Sequence, residues 1–286
     1  MSIAVVTDST AYLPEGLAQR YSLRTVPLYV SVDGADAIAE SDFGPRELAT
    51  AFAHKHRVTT SGATVEDLTR AYRSALEAGA EGVVSVHLSR QLSGTWDAAR
   101  LAAQEVDSHR VRIVDSRSTA MGLGFSVLAA GASAEAGSDL AAVAATAGRV
   151  AERTNTMFSV QTLDYLRRGG RIGTATALLG TALAIKPLLH IRSGRIEALE
   201  KVRTTTRAMA RLVEIAVRAA EPGPATVAIH HLEAPDRAFQ LAEWLRGQIP
   251  ECQDCTVSEV GAVIGAHIGP GAVGVVVLPG GWHESS

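Results

Sequence analysis

The chain has 286 residues, enough for one large or two ordinary α/β domains, each with a real core. Its 47% hydrophobic and 20% charged residues exclude a disordered chain, and a formal net charge of −3 excludes a broadly basic nucleic-acid-binding face. No apolar run reaches the roughly 18 residues that span a bilayer, because Lys186 and Pro187 interrupt the longest candidate, residues 175–189.

Residues 2–7 form a β-branched run that ends in Asp8-Ser9-Thr10, a strand followed by a turn. Residues 24–32 alternate apolar and polar side chains as one strand closed by the turn signal Asp33-Gly34. A helix is expected over 45–56. Thr64 and Asp67 mark an N-cap and box residue for a helix running to about 78. Buried strands follow at 82–88 and 111–115, separated by an amphipathic helix over 95–106. Two helices are predicted over 120–136 and 140–152. This alternation of apolar strands and helices predicts a parallel sheet flanked by helices, a Rossmann-like unit over residues 1–153.

The pattern then changes. A short strand at 158–160 precedes a helical turn at 163–167, stopped by Gly169-Gly170. Residues 185–191 and 195–202 flank Ser193-Gly194 as a hairpin. A helix over 204–220, a strand over 225–231, a helix over 235–248 and strands at 255–260 and 273–278 complete the order, with a frayed tail over 280–286. The expectation is an α+β unit with a mixed sheet over residues 154–286. The start of the chain lacks the basic and long apolar regions of a signal peptide, which suggests a cytoplasmic protein.

Standard catalytic signatures are missing. There is no phosphate-binding G-x-x-x-x-G-K-[ST], no H-E-x-x-H and no G-x-S-x-G. Gly122-Leu123-Gly124 starts like a dinucleotide fingerprint, but Val127 stands where its third glycine belongs. Cys252 and Cys255, the two cysteines, precede an apparent strand rather than a helix, and lack further ligands for zinc. His230-His231 ends a strand and suits a surface or an interface.

Four polar segments remain. Asp8 and Ser9 follow the first strand, where they could meet a ligand or satisfy turn amides. Thr60, Ser61 and Thr64 precede a helix, a position for an anion or for capping. Ser93, Gly94 and Thr95 run into the next helix, where Ser93 could cap or donate to a ligand. His267 sits among glycines and Pro270 in what reads as a rigid loop. No metal or cofactor is called for, and no general base is evident.

These segments occur together with Val114-Asp115-Ser116, Leu166-Arg167-Arg168-Gly169-Gly170-Arg171-Ile172 and Ile185-Lys186-Pro187-Leu188-Leu189. In this order they resemble the DegV family signature over residues 3–278. The resemblance implies a two-domain, non-enzymatic carrier that holds one long-chain fatty acid of the palmitate, stearate or oleate type in a tunnel between the domains. Thr60 and Ser93, with Ser61, Gly94, Thr95 and His267, would hold the carboxylate. Arg171 and Arg203 would lie at the site edge or dock a partner. That partner would be a fatty acid kinase of the dihydroxyacetone-kinase-like type, making an acyl-phosphate for phospholipid synthesis. Gly62-Ala63-Thr64 and Arg90 depart from the family pattern, which leaves head-group detail open. The competing expectation is a phosphotransferase or hydrolase acting on a small anionic substrate at the same strand ends.

Overall fold

The computed structural model describes residues 2–178, 185–221, 223–249 and 252–282. The chain opens with β1 (Ile3–Asp8), α1 (Glu15–Arg20), β2 (Arg24–Val26), β3 (Tyr29–Val32), β4 (Ile38–Ala39), α2 (Pro45–Ala53) and β5 (Val58–Ser61). It continues through α3 (Val65–Glu77), β6 (Gly82–His87), α4 (Thr95–Val106), β7 (Val111–Asp115), α5 (Met121–Glu135) and α6 (Leu140–Arg153). The second half holds β8 (Asn155–Ser159), α7 (Asp164–Arg168), β9 (Lys186–Arg192), β10 (Arg195–Val202), α8 (Thr205–Ala220), β11 (Ala225–His231), α9 (Pro235–Gln248), β12 (Cys252–Glu259), α10 (Ala262–Ile268) and β13 (Val273–Pro279).

Three sheets result. The first is fully parallel, in the order β2-β1-β6-β7. Helices cover both its faces, so the central strand β6 is buried at every residue. The second is mixed, in the order β10-β9-β8-β13-β11-β12, with only β11 and β12 parallel to each other. A small antiparallel sheet, β4-β3-β5, stands beside the first. The expected parallel and mixed sheets are both present.

Helix α5 lies between the two large sheets. One of its faces (Leu123, Val127, Ala130) joins the core of the parallel sheet, and another (Met121, Phe125, Leu128, Ala129) packs with Ala228, Val276 and Leu278 of the mixed sheet. A helix buried all round has no polar stripe, and residues 121–131 are all buried. Gly124 permits a close crossing, since a Cβ there would lie 2.8 Å from the Ala11 carbonyl oxygen. The Gly122-Leu123-Gly124 run is thus helix packing rather than a phosphate turn.

Six expectations need correction. The single strand over 24–32 is two strands in different sheets, because Pro27 lacks the N–H a continuous ladder needs. Strand β7 is an edge strand with only Val111 buried. Residues 58–61 form a strand, β5, rather than a loop before a helix. The glycine-rich stretch around His267 is a helix, α10, through Ile268. Both cysteines lie on β12, which begins three residues before the expected strand. Of the tail expected to fray over 280–286, the described part is held, with Gly280 N donating to Pro224 O at 2.7 Å and Trp282 buried against Tyr21; residues 283–286, and residues 179–184 of the apolar stretch, lie outside the described residues.

Helix α10 follows β12 of the mixed sheet, yet Ala262, Val263 and Ala266 belong to the core of the parallel sheet. Gly265 allows this approach, since a Cβ there would meet Leu48 Cδ2 at 2.6 Å. The buried Glu40 carboxylate accepts from Val263 N at 2.9 Å and from the Tyr12 hydroxyl at 3.0 Å, which ties the helix start to the first half of the chain.

Candidate functional site

A cavity opens where these layers meet. Its walls come from the link between β2 and β3, the end of β5, the loop after β6, the start of α5, strands β8 to β11 and β13, and α10. About 960 Å³ of space lies between them, the mouth included. The cavity runs as a channel between the layers. Leu28, Leu88, Phe158, Leu166, Ile191 and Val263 represent its mostly aliphatic wall.

Residues 272–276 line it along β13, and four strand residues span about 13 Å. The beginning of that span adjoins α10 and its His267. Thr156 pairs with Val276 at the other end. The channel thus has two distinct polar ends.

At the first end, Thr60 Oγ1 and His267 Nε2 are 2.7 Å apart. His267 Nδ1 is buried and has no hydrogen-bond partner among the described residues. The ring presses on Gly169, where a Cβ would lie 2.1 Å from Nδ1. Burial, then the nearby Arg171 guanidinium, push the His267 pKa down to about 4, so the imidazole is neutral near pH 7. Arg171 donates through Nε to Leu92 O at 2.9 Å and through Nη1 to Gly169 O at 2.6 Å, joining the end of α7 to the loop after β6.

Ser93 Oγ lies 3.0 Å from Thr95 Oγ1 and accepts from Thr95 N at 3.3 Å. Thr95 Oγ1 in turn accepts from Ala63 N at 3.2 Å. Gly62 makes this junction possible, since a Cβ would meet Thr95 Oγ1 at 2.6 Å and Ser93 Oγ at 3.0 Å. The loop is further held by Ser89 Oγ, which donates to Gly194 O at 2.8 Å in the β9–β10 turn.

Thr60, Ser61, Ser93, Arg171 and His267 all line the channel. Thr95 is fully buried directly behind Ser93 and braces it. Gly94 is exposed and outside the lining, with no atom within 4 Å of where its Cβ would stand; the close backbone approach belongs to Gly62 instead. Arg203 is exposed after β10 and also lies outside the lining.

The far polar end holds Thr119, Ala120, Thr156 and His230, which sequence reasoning did not bring together. His230 Nε2 accepts from Met121 N at 3.1 Å, so Nδ1 carries the proton and donates to Ser258 Oγ at 3.0 Å. Burial, then the neighbouring His231, lower the His230 pKa to about 4. The doublet His230-His231 at a strand end was the available signal; its role is at the interface between the sheets.

A second constellation lies beneath the loop. Asp8 Oδ2 is 3.0 Å from His87 Nδ1, and His87 Nε2 is 2.7 Å from Ser85 Oγ. This is the connectivity of a Ser-His-Asp triad. All three residues are fully buried, none lines the channel, and Tyr72 donates to Ser85 Oγ at 2.9 Å where a substrate would have to sit. Asp8 Oδ2 also accepts from Leu88 N at 3.0 Å, so the group braces the strand ends that carry the Ser93 loop. Among the described residues no cluster of three or more His, Cys, Asp or Glu could hold a metal, and no helix is long and apolar enough to cross a membrane.

A parallel sheet flanked by helices and a mixed sheet, with helix α5 and a mostly apolar channel between them, define a two-sheet α/β protein. The family model described as "Uncharacterised protein, DegV family" matches residues 2–280. A DegV domain-containing protein of Streptomyces coelicolor is 52% identical, with 96% of this chain and 98% of that protein covered. The chain belongs to the DegV family. Among solved structures, a fatty-acid-binding DegV family protein from Thermus thermophilus is 38% identical, with a TM-score of 0.91 and coverage of 98% of this chain and 100% of that one. DegV from Bacillus subtilis, described as a fatty acid binding protein, is 31% identical, with a TM-score of 0.87 and coverage of 97% and 99%.

Proposed function

We propose that this chain binds one long-chain fatty acid of the palmitate, stearate or oleate type, with its alkyl chain in the channel and its carboxylate at the Thr60–Ser93–His267 end. The observation that carries this reading is a mostly aliphatic channel ending in a cluster of hydroxyls beside exposed Ser61. Its relatives from Thermus thermophilus and Bacillus subtilis, which are described as binding fatty acids, support it. Burying about 14 methylenes at roughly 0.8 kcal/mol each supplies on the order of 11 kcal/mol before ordering costs. A carboxylate needs donors as it leaves water, and the Thr60 and Ser93 hydroxyls, both in the channel lining, would supply them. On this reading residues 1–153 and 154–286 are two units, and the channel, lined from both, would run between them.

In the same reading the protein is a carrier rather than an enzyme. It would present the carboxylate at its mouth to a kinase of the dihydroxyacetone-kinase-like type, whose acyl-phosphate product would feed phospholipid synthesis. Arg171 at the site edge and exposed Arg203 are the proposed docking cations.

Native and denaturing mass spectrometry of the purified protein tests the binding step. One fatty acid that leaves only on denaturation is the expected result. A protein that is empty and refuses palmitate and oleate overturns it and brings a small anionic substrate forward. The Thr60→Ala/Ser93→Ala double variant should keep the native circular dichroism spectrum and lose fatty acid at least about tenfold faster, as expected when two hydrogen bonds to a charged group are removed. Unchanged release kinetics would remove these hydroxyls from the site.

A further inference from the structure

Cys252 and Cys255 are three apart in sequence, a spacing that places side chains on opposite faces of a regular strand. Strand β12 is not regular there. Ala225 pairs with Cys252 and Thr226 with Asp254, so one extra residue is inserted in β12 before Val227 pairs with Cys255. Such a bulge shifts the alternation by one. Cys252 and Cys255 then stand opposite Ala225 and Val227, two residues of the same face of β11. Ala225 and Val227 are buried in one hydrophobic cluster, and both cysteines pack against that cluster. The two thiols are neighbours, close enough that Cys252 pushes the Cys255 thiol's pKa up. β12 is the outer strand of its sheet, and neither cysteine is fully buried.

We propose that Cys252 and Cys255 form a reversible dithiol–disulfide site, oxidised by low-molecular-weight disulfides of the glutathione class. The neighbouring Cys252, and then burial, raise the Cys255 thiol above the ordinary thiol range; in the proposed exchange Cys252, as its thiolate, makes the first attack. That thiolate attacks one sulfur of the small disulfide. The old S–S bond breaks, a mixed disulfide forms on Cys252, and one small thiolate leaves. Cys255 then loses its proton and attacks Cys252 Sγ, which expels the second small thiolate. The two protons released from the protein protonate the two leaving thiolates. The protein is oxidised by two electrons and the small disulfide is reduced by two. The bulge matters twice: it brings the thiols together, and it is where the strand can adjust to the short Cα separation a disulfide requires. The site lies at the seam with α9, where Arg246 Nη2 donates to Cys255 O at 3.1 Å, away from the channel lining.

The test is equilibration of the reduced full chain in glutathione and glutathione disulfide at varied ratios, followed by acid quench, alkylation and intact mass measurement. The expected result is one transition in which both alkylatable thiols are lost together, with a net loss of two hydrogens and no retained glutathione. Dithiothreitol should reverse it completely. Cys252→Ser and Cys255→Ser should instead each retain one glutathione. The proposal is overturned if the unaltered chain accumulates glutathione adducts, or stays doubly alkylated in glutathione disulfide alone.

Discussion

Asp8→Ala should destabilise the protein by about 4 kcal/mol or more, measured by urea denaturation at neutral pH, because it strands several buried donors at once. Asp8 is fully buried at the end of β1. Its Oδ1 accepts from Thr10 Oγ1 at 2.6 Å and Thr10 N at 3.2 Å, and its Oδ2 from Leu88 N at 3.0 Å while facing His87 Nδ1 at 3.0 Å. Alanine leaves these groups without water or protein to replace the carboxylate, and each unsatisfied buried group costs about 1–3 kcal/mol. Asp8→Asn keeps the shape and one acceptor oxygen but turns an amide donor toward other donors. It should fall between alanine and the unaltered protein. A loss under about 1 kcal/mol for Asp8→Ala would mean the brace is dispensable.

The second large effect is acid destabilisation by His230 and His267. Both have folded pKa values of about 4, against an ordinary value of 6.5. Between pH 6.5 and 4 the unfolded chain therefore binds more protons than the folded one. The stability these groups contribute is complete above pH 6.5 and is lost as the pH falls through this window toward 4. A shift of that size corresponds to about 3 kcal/mol for each histidine. Glu40 acts with the opposite sign, since burial raises its pKa and protonation relieves the folded state. With two such histidines and one such carboxylate, the expected result is a net drop in stability between pH 7.5 and 4.5. His230→Gln and His267→Gln should each flatten the dependence. An identical pH slope in both variants would locate the acid sensitivity elsewhere.

Elements whose stabilising partners are near in sequence were legible from residues alone. Thr64 caps α3 by accepting from Asp67 N at 3.1 Å, three residues on, and Ser193-Gly194 turns β9 into β10. The elements that escaped depend on distant partners. Strand β5 is Val-Thr-Thr-Ser, half exposed, and becomes a strand because Thr60 pairs with Val30. Helix α10 carries Gly265 in its middle, a poor helix former, and is capped by Glu40 from 223 residues earlier. The candidate site suffered in the same way. Thr60, Ser93 and His267 could be singled out by type and by family resemblance, but that Thr60 touches His267 across 207 residues follows only from α10 crossing to the other core. Asp8 reads locally as a turn residue, which it is through Thr10; its grip on Leu88 is invisible in the local pattern.

The crossing of α10 also sets an order of events during synthesis. The parallel sheet is complete once β7 and α6 have left the ribosome, but the seat beside Leu48 stays uncovered until residues 262–268 arrive. The chain must then return to insert β13 between β8 and β11, both made earlier. The first half therefore waits with an apolar groove open for more than a hundred residues of translation, a window in which chaperones would meet it. Helix α10 and strand β13 latch the two halves, so shortening the chain before α10 should leave both halves unable to close, whereas a cut between α10 and β13 should leave only the mixed sheet open.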